Sequence, residues 1–553
     1  MAKLDRRAAV LVVAALSMLV IGACGDDDDD DGGGSGATGG AITIATVGPE
    51  NADPVMFVSL QALQAFQPAY VPLITYAHKE GKAGTEIVPG LAEEVPEPTN
   101  NGKTYTFQLR DGLVYSDGSK VKASDFENTV KRLLKLGSPW SGFYTGIVGA
   151  EDFAERRRFN ADISGIEAND QTGEITVTLT EPDTKILYAL AQPYVAPTPA
   201  AKSPPKSLKE PPPGVGPYTL DVVDFSREWV LRKNPRFPDI PGIPKGSFDT
   251  INIAVSDNVT RMTQDVISGK ADFMTEDPTG DQLPQVRQQY ADRLREEANP
   301  PNTYYFFLNV TLPPFDKQAA REAVNYAIDS TALVRIFGGR LTPGCTLLPP
   351  QLTGYKDFEC KYGDPAGKPD IERARQLVKQ SGYAGEKVTV WTNNKDPRPA
   401  IADYYRDVLD KIGFEADTKT LDQQVYFEQV GLKRTKAQTG FTNWYQDYPH
   451  PGDYIEVLLS SRALQSEVTN NFGFVSDPRL DKKLDELRGE DPADVADQWG
   501  DLDEYVVNER AYIAPYGYEE STSFFSERMD AQNCSGIHPV YKNDWLLFCK
   551  KER

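Results

Sequence analysis

Residues 386–420, EKVTVWTNNKDPRPAIADYYRDVLDKIGFEADTKT, indicate the fold class of this chain. Residues 386–392 and 414–420 carry strand patterns, and the segment between them carries the longer apolar period of a helix that ends at Gly413. A strand, a helix and a second strand in this order form a β-α-β unit, whose two strands run parallel. The chain is therefore predicted to be an α/β protein.

Strand and helix patterns alternate on both sides of this unit. The other strand patterns are AITIATV (41–47), TYTFQLR (104–110), EITVTLTEP (174–182), YTLDVV (218–223), TYYFFLNV (303–310) and TGFTNWY (439–445). A capping box at 124–127 predicts the start of one helix, residues 317–328 predict a second, and Asp329 caps a third. Prolines crowd residues 196–217, which predicts a long irregular connection. No fixed-period repeat is visible, which argues against a solenoid or a propeller.

The segment with most bearing on function is FTNWYQDYPHPGDY, residues 441–454. Asp447 follows the strand pattern 439–445, and ligands of open α/β sheets gather beyond the carboxyl ends of the strands. Two plain interpretations of Asp447 are a helix cap and a residue of an aromatic surface turn. The third is a pocket that needs one fixed negative charge among aromatic rings.

The amino terminus has the pattern of an export signal. A basic start, an apolar run at residues 8–23 that is shorter than the roughly 20 residues of a membrane-spanning helix, and small residues before a break indicate a signal peptide over residues 1–23. The tetrapeptide at 21–24 is similar to a bacterial lipobox, which predicts lipidation of Cys24 after cleavage. A plain signal peptide is the alternative, and the paired arginines leave the export route open between the general and the twin-arginine pathways.

Residues 24–40 hold six consecutive aspartates followed by glycines. Because these carboxylates repel one another and the glycines bury no apolar surface, the segment is predicted to be a flexible, solvated tether. The rest of the chain is long enough for two or three domains with their own cores. A net charge of −22 argues against a nucleic-acid partner.

The four cysteines other than Cys24 form two neighbouring pairs in the sequence. An even number of cysteines in an exported chain favours disulfides. Pairing of neighbours is the simplest of the three possible connectivities, and zinc is disfavoured because no C-x-x-C pair or histidine cluster accompanies these residues. The cysteines are Cys345, Cys360, Cys534 and Cys549.

An enzyme would be a different class of function, and two short sequence patterns are relevant to it. Ser203 and Lys206 match the S-x-x-K pattern of penicillin-binding proteins, and residues 256–258 match S-D-N. No K-T-G follows, however, and the prolines around Ser203 oppose the helix that this chemistry requires. The chain has only three histidines, which leaves few places for a metal site or a Ser-His-Asp triad. The chain is predicted not to be an enzyme.

Five segments in order resemble family 5 of the bacterial extracellular solute-binding proteins, the oligopeptide- and dipeptide-binding type that serves ABC importers. They are TYTFQLRDGLVYSDGSKVKASDFENTVKRLL (104–134), GVGPYTL (214–220), NVTRMTQDVISGKADF (258–273), LNVTLPPFDKQAAREAVNYAIDSTALVRIFGG (308–339) and WYQDYPHPGDY (444–454). The second departs from the family pattern G-T-G-P-Y, because Val215 replaces the threonine.

The resemblance implies a two-lobed fold of the periplasmic-binding-protein type. Such proteins have mixed sheets with flanking helices, two hinge-crossing segments between the lobes and an extra domain inserted in the first lobe. Carried onto this chain, lobe II is expected at 303–513 and the inserted domain at 61–174. Lobe I is expected to comprise residues 41–60, 175–302 and 514–553.

The resemblance also implies how the protein works. Asp447 matches the family aspartate that pairs with the α-amino group of a peptide, and Trp444 and Tyr445 would be walls of the ligand site. The expected partners are a peptide-like solute and ABC permease subunits. The protein is expected to be a monomer that is lipid-anchored to the cell membrane outside the cytoplasm, without cofactor or metal site.

Other ligands and roles stay open at this stage. Relatives of this fold also bind oligosaccharides or nickel chelates, and the same fold could act as a surface receptor without import. His450, three positions after Asp447, would suit a metal chelate or would be an ordinary turn residue between prolines. No residue is assigned to the far end of the ligand.

Overall fold

The computed structural model describes residues 39–156, 161–297, 301–465 and 467–552. The predicted signal peptide 1–23, the lipidation site Cys24 and all but the last two residues of the tether 24–40 lie outside the described residues. No helix among the described residues combines the length and the apolar character needed to cross a bilayer.

Strands and helices alternate along the described chain, as the sequence patterns predict. The strands are β1 Ala41–Thr46, β2 Ile74–Tyr76, β3 Ile87–Pro89, β4 Thr104–Gln108, β5 Ile166–Asn169, β6 Glu174–Thr178, β7 Tyr218–Asp224, β8 Glu228–Lys233, β9 Thr250–Val255, β10 Phe273–Met274, β11 Leu294–Glu297, β12 Asn302–Leu308, β13 Leu341–Thr342, β14 Lys387–Asn393, β15 Glu415–Leu421, β16 Thr439–Tyr445, β17 Ile513–Glu519, β18 Ser521–Phe525, β19 Ile537–His538 and β20 Lys542–Asn543. The α-helices are α1 Leu60–Phe66, α2 Ala123–Leu136, α3 Ala150–Arg156, α4 Lys185–Leu190, α5 Val259–Ile267, α6 Leu283–Gln289, α7 Gln318–Ala327, α8 Ser330–Ile336, α9 Ile371–Ser381, α10 Arg398–Ile412, α11 Gln423–Gly431, α12 Gly452–Leu459, α13 Pro478–Leu487 and α14 Ala496–Glu504.

A seven-stranded mixed sheet forms the first lobe, in the order β11-β18-β10-β1-β9-β8-β7. Strand β1 lies in its centre and runs parallel to both β9 and β10, whereas β7, β8 and β9 pair antiparallel. Buried side chains of this sheet and of residues 52–196 form one continuous apolar core.

A six-stranded mixed sheet forms the second lobe, in the order β13-β17-β12-β16-β14-β15. The predicted β-α-β unit is confirmed: β14 and β15 pair in parallel, α10 connects them, and Gly413 ends α10 in the left-handed conformation at φ +111°. Strand β16 joins this parallel pair to β12, with which it pairs antiparallel. The second lobe has its own apolar core.

The described chain passes between the two large sheets at two places. The first crossing joins β11, which ends at Glu297, to β12, which begins at Asn302. The second is Glu520, between β17 of the second sheet and β18 of the first. Two separate cores joined by two short crossings make a two-lobed molecule.

The segment between β1 and β7 builds additional structure on the first lobe. Strands β4, β6 and β5 form a three-stranded antiparallel sheet, and β2 and β3 form a separate pair. Helix α2 packs its apolar stripe Phe126, Val130, Leu133 and Leu134 into the core. The capping box lies two residues before the predicted one: the carboxylate of Asp125 accepts the N–H of Lys122, because the helix begins at Ala123.

The segment between β1 and β7 also contacts the second lobe. The hydroxyl of Thr184 donates to the carbonyls of Arg488 and Glu490, and Lys185 forms an ion pair with Glu456. The guanidinium of Arg488 contacts Glu456 at 2.8 Å. These charged groups border a cavity of about 520 Å³ between the two parts of the chain.

The described part of the chain contains two disulfides, Cys345–Cys360 and Cys534–Cys549, and each pairs neighbouring cysteines of the sequence. The first lies in the connection between β13 and α9 of the second lobe. The second closes the carboxyl-terminal segment that follows β18. Each loop of this length contributes about 3 kcal/mol in the chain-entropy description.

Candidate functional site

The segment around Asp447 lies beside the first crossing between the lobes. The last residue of β16, Tyr445, is opposite Asn302, the first residue of β12. The N–H of Gln446 then donates to the carbonyl of Pro301 at 3.1 Å, so the chain leaving β16 is attached to the chain entering β12. Asp447 therefore occupies the carboxyl end of a strand at the junction of the two lobes.

The peptide unit of Asp447 is held by hydrogen bonds from both sides. Its N–H donates to the carboxylate of Asp453 at 2.8 Å, and Asp453 belongs to the first turn of α12. Its carbonyl accepts from the side-chain amide of Gln192, a residue of the first lobe, at 3.1 Å. Because the backbone is engaged on both sides, the direction of the Asp447 side chain is set by the fold.

The carboxylate of Asp447 has no hydrogen-bond or ion-pair partner among the described residues. It is partly buried, and this burial raises the pKa of the Asp447 carboxyl to about 6. Burial, followed by the neighbouring charge of Asp447, also raises the pKa of Asp453 well above its usual range. Asp453 is thus favoured in its neutral form, and Asp447 is the group that is charged at neutral pH.

Asp447 faces a cavity of about 280 Å³ between the lobes. The residues contributed by the first lobe are mostly apolar or aromatic, and they include Phe57, Val58, Leu60, Leu63, Trp140, Tyr194 and Val540. The second lobe contributes Tyr445, Gln446 and Asp447. A cavity of this size and composition, with a few polar groups in an apolar wall, is typical of a small-molecule site.

Tyr445 and Trp444 occupy different positions, although the sequence suggested one role for both. Tyr445 lines the cavity, is 49% exposed, and donates its hydroxyl to Glu519 at 2.7 Å. Trp444 packs against the core of the second lobe and donates its indole N–H to Asp453 at 3.2 Å. Trp444 is not among the residues that line the cavity, because successive residues of β16 point to opposite faces of the sheet.

Two further charged residues line the cavity, Glu297 and Lys542. The ammonium of Lys542 is engaged by the carboxylate of Asp277 at 3.1 Å and by the carbonyl of Thr275 at 2.9 Å. Glu297 accepts from the hydroxyl of Ser521 at 3.4 Å, and burial raises its pKa to about 7. The lining therefore carries more acid than free base.

His450 lies away from the cavity lining. Its Nδ1 accepts the N–H of Gly452 at 2.9 Å, directly before α12. Burial, and then the charge of Lys185, lowers the pKa of His450 to about 3, so the ring is neutral. These contacts make His450 a residue of the turn between β16 and α12.

Ser203 and Lys206, which match the S-x-x-K pattern of penicillin-binding proteins, do not form the catalytic arrangement of those enzymes. Ser203 is buried and Lys206 is exposed, and no helix places them on one face. The proline-rich connection 196–217 is irregular, as its composition predicts.

Sequence reasoning did not find the wall that the first lobe contributes. Phe57 and Leu60 come from the segment after β1, and Trp140 comes from GSPWSGFY at 137–144. In the sequence these residues are surrounded by residues typical of turns and helix caps. Because no periodic pattern includes them, the sequence does not indicate that their side chains share a wall. Only an unusual concentration of rings near turns could have drawn attention to Trp140.

Two lobes with separate cores, two crossings and an unpaired carboxylate in the cavity between them define a solute-binding protein of the periplasmic type. The family model for bacterial extracellular solute-binding proteins, family 5, middle region, matches residues 86–466. The chain belongs to this family, the extracytoplasmic substrate-binding proteins of ABC importers.

Curated relatives and solved structures agree with this assignment. The glutathione-binding protein GsiB of Escherichia coli strain K12 is 27% identical over 446 residues, which cover 78% of this chain and 80% of the relative. The structure of clavulanic acid biosynthesis oligopeptide binding protein 2 has a TM-score of 0.85 at 22% identity, covering 93% of this chain and 96% of the other.

A further solved structure is Helicobacter pylori DppA in complex with the peptide STSA, with a TM-score of 0.70 and 21% identity over 93% of this chain and 99% of the other. At these identities the solved structures show that the fold is shared. All three proteins are named as binding proteins rather than as enzymes.

Proposed function

We propose that this protein captures short peptides with a free amino terminus between its lobes and delivers them to an ABC permease. The supporting observation is the Asp447 carboxylate, which is partly buried, is unpaired among the described residues and belongs to a residue that lines the interlobe cavity. A buried carboxylate without a partner is costly, and a ligand ammonium group removes that cost. Relatives named for peptides and for glutathione, itself a tripeptide, fit a ligand of this class.

In this mechanism the protein binds and does not catalyse. The peptide amine pairs with Asp447, Tyr445 and the apolar wall of the first lobe exclude water, and the lobes close around the solute. Trp444 has a supporting role, because it helps to hold Asp453, which in turn orients the peptide unit of Asp447. The ligand favours the closed form to the extent that it binds that form more tightly.

The test is a change of Asp447 to asparagine, which keeps the size of the side chain and removes its charge. We expect Asp447→Asn to weaken binding of an unmodified dipeptide by about tenfold or more, since a charge-assisted hydrogen bond contributes about 1.5–3 kcal/mol. Isothermal titration calorimetry with free and N-acetylated dipeptide measures the loss. Equal affinity of both proteins for the free dipeptide would reject the amine-binding role.

Native mass spectrometry of the solutes that co-purify with the protein distinguishes a peptide ligand from the alternative ligands, an oligosaccharide or a nickel chelate, and from a receptor that transports no solute.

We propose in addition that the protein is a monomer.

We also propose that Cys24 carries a lipid that anchors the protein to the outer face of the cell membrane. The supporting observation is the lipobox-like sequence before Cys24, followed by a polar tether. Cys24→Ser should move the protein from the membrane fraction to the soluble fraction, measured by fractionation and immunoblotting. A Cys24→Ser protein that still requires detergent for extraction would contradict the anchor.

The division into lobes remains a proposal that sheet membership refines. Strand β17 belongs to the second sheet. We therefore place the second boundary between the lobes at Glu520 instead of between residues 513 and 514. Strand β6 pairs with β4 and β5, so we extend the inserted domain beyond 174 to the end of β6.

A further inference from the structure

The cavity around Asp447 has walls of different chemistry. On the side of the first lobe, Val58 and Leu60 are 53% and 37% exposed although both are large apolar residues. Both line the cavity, together with the rings of Phe57 and Trp140. Exposed apolar side chains gathered in one concave surface mark a place where an apolar partner is buried.

The aromatic part of this wall is held rigidly. The indole N–H of Trp140 donates to the carbonyl of Phe57 at 2.7 Å, so its polar atom is already satisfied. The ring of Trp140 stacks on Tyr194 with centroids 4.9 Å apart and an interplanar angle of 1°. The wall thus offers the solute preformed apolar surface, which lowers the entropy lost on binding.

The charges around the cavity oppose an acidic solute. Asp447 and Glu297 are the carboxylates of the lining, and Lys542 is its ammonium group. Lys542 already contacts the Asp277 carboxylate at 3.1 Å. Asp277 is also paired with Arg340 at 3.2 Å, so the cations near this end are engaged within the fold. A solute with a second carboxylate would bring it into an acidic, weakly solvated cavity without a free cation among the described lining residues.

We propose that the site selects short peptides whose side chains are apolar, and that it discriminates against glutathione. This inference rests on the peptide-binding function proposed above and adds the class of side chain. Glutathione has two carboxylates and one amine, whereas a dipeptide such as Leu-Leu has one of each and two apolar side chains. Apolar side chains would lie on the wall formed by Phe57, Leu60 and Trp140, while the amine pairs with Asp447.

The size of the cavity limits the length of the solute. Its volume of about 280 Å³ lies just below the roughly 300–1,000 Å³ range of small-molecule sites. A dipeptide or tripeptide is therefore the length that the cavity holds with the lobes in this arrangement.

The experiment compares Leu-Leu, Gly-Gly and reduced glutathione by calorimetric titration of the purified full chain. Leu-Leu should bind about tenfold or more tightly than Gly-Gly, and glutathione should bind about tenfold or more weakly than Leu-Leu. Leu60→Asn should reduce the preference for Leu-Leu over Gly-Gly by about threefold or more. Val425→Asn is the matched control, because Val425 is a 42% exposed apolar residue of α11 outside the cavity lining, and it should leave the preference unchanged.

The outcomes separate this inference from the proposed function. Glutathione binding as tightly as Leu-Leu to the unmodified chain would overturn the inference, whatever the variants do. An unchanged preference in a folded Leu60→Asn protein would also overturn it. If Gly-Gly and Leu-Leu bind equally and both depend on Asp447, the peptide-binding function stands and only the side-chain preference fails. If no peptide binds, both proposals fail.

Discussion

At the scale of the residue, the main feature is that the neighbouring carboxyl groups of Asp447 and Asp453 have different environments. Asp453 is fully buried and accepts hydrogen bonds from the N–H of Asp447 and the indole of Trp444. Asp453 therefore has a structural role, because it orients the peptide unit of Asp447. The carboxylate of Asp447 has no partner among the described residues, which is why we propose it as the group that binds the solute amine. Burial raises the pKa of both groups, so only one negative charge is favoured near neutral pH.

This difference predicts how binding depends on pH. The pKa of Asp447 is raised to about 6, so its carboxyl gains a proton and loses its charge as the pH falls below that value. Affinity for a free dipeptide should therefore rise by about tenfold between about pH 5 and pH 7, where the ligand amine stays protonated. Calorimetric titrations over this range measure the profile. Asp447→Asn should give a nearly flat profile, and a flat profile of the unmodified chain would contradict the role of this carboxyl.

At the scale of the element, helix α2 is fixed to the first lobe by a buried ion pair. Arg132 of α2 contacts Asp53 at 2.7 Å, and neither side chain is exposed to solvent. Arg132 also donates to the carbonyl of Pro204 at 2.9 Å, and Asp53 accepts the N–H of Leu208. One charged pair thus organises both the helix and the proline-rich connection, whose own backbone has few regular hydrogen bonds.

Removing one member of this pair should destabilise the fold strongly. Arg132→Leu leaves the buried carboxylate of Asp53 without its cation, which costs about 3–5 kcal/mol of the free energy of unfolding. Urea denaturation followed by circular dichroism measures the change. Arg406→Leu is the control, because Arg406 pairs with Asp403 on the surface of α10 and its loss should cost no more than about 0.5 kcal/mol. Equal losses in the two variants would show that the buried pair contributes little.

At the scale of the whole molecule, charged contacts join residues between β6 and β7 to the second lobe. Lys185 and Arg488 both contact Glu456, and Arg488 and Arg462 both contact Glu181. Although burial opposes its ionisation, Lys185 and Arg488 lower the pKa of Glu456 to about 2. Opening of the lobes, as proposed above, would separate Lys185 from Glu456 and Glu181 from both arginines, although it would leave Arg488 beside Glu456 within the second lobe. We therefore expect the contacts between the lobes to favour the closed form.

Weakening these contacts should shift the molecule towards an open form. In Glu456→Gln the cations Lys185 and Arg488 lose their shared carboxylate, and the affinity for a dipeptide should fall by about fivefold because closure is less favourable. Small-angle X-ray scattering should show a larger radius of gyration without ligand.

The control is Glu467→Gln, which removes an exposed pair with Arg434 inside the second lobe and should change neither quantity. An unchanged radius and affinity in Glu456→Gln would show that these contacts do not influence closure.

Much of the fold follows from local patterns. The period of residues 386–420 predicts β14, α10 and β15, and the strand at 439–445 matches β16. These predictions succeed because the apolar residues of a strand alternate, and those of a helix recur every three or four residues, according to which side of the element is buried. Helix α2 begins two residues earlier than the capping box at 124–127 predicts, because Lys122 is the N-cap and its N–H donates to the carboxylate of Asp125.

The position of Asp447 beyond a strand also followed from the sequence, but its environment did not. The β-α-β unit, the aspartate after β16 and the export signal pattern can be predicted from the amino-acid sequence, because each pattern lies within a short segment. Folding brings Gln192 from 255 positions away to the carbonyl of Asp447, and it places Trp140 and Leu60 in the same cavity lining as Asp447. The physical reason is that the cavity forms between two lobes with separate cores, so its opposite walls share no pattern along the chain.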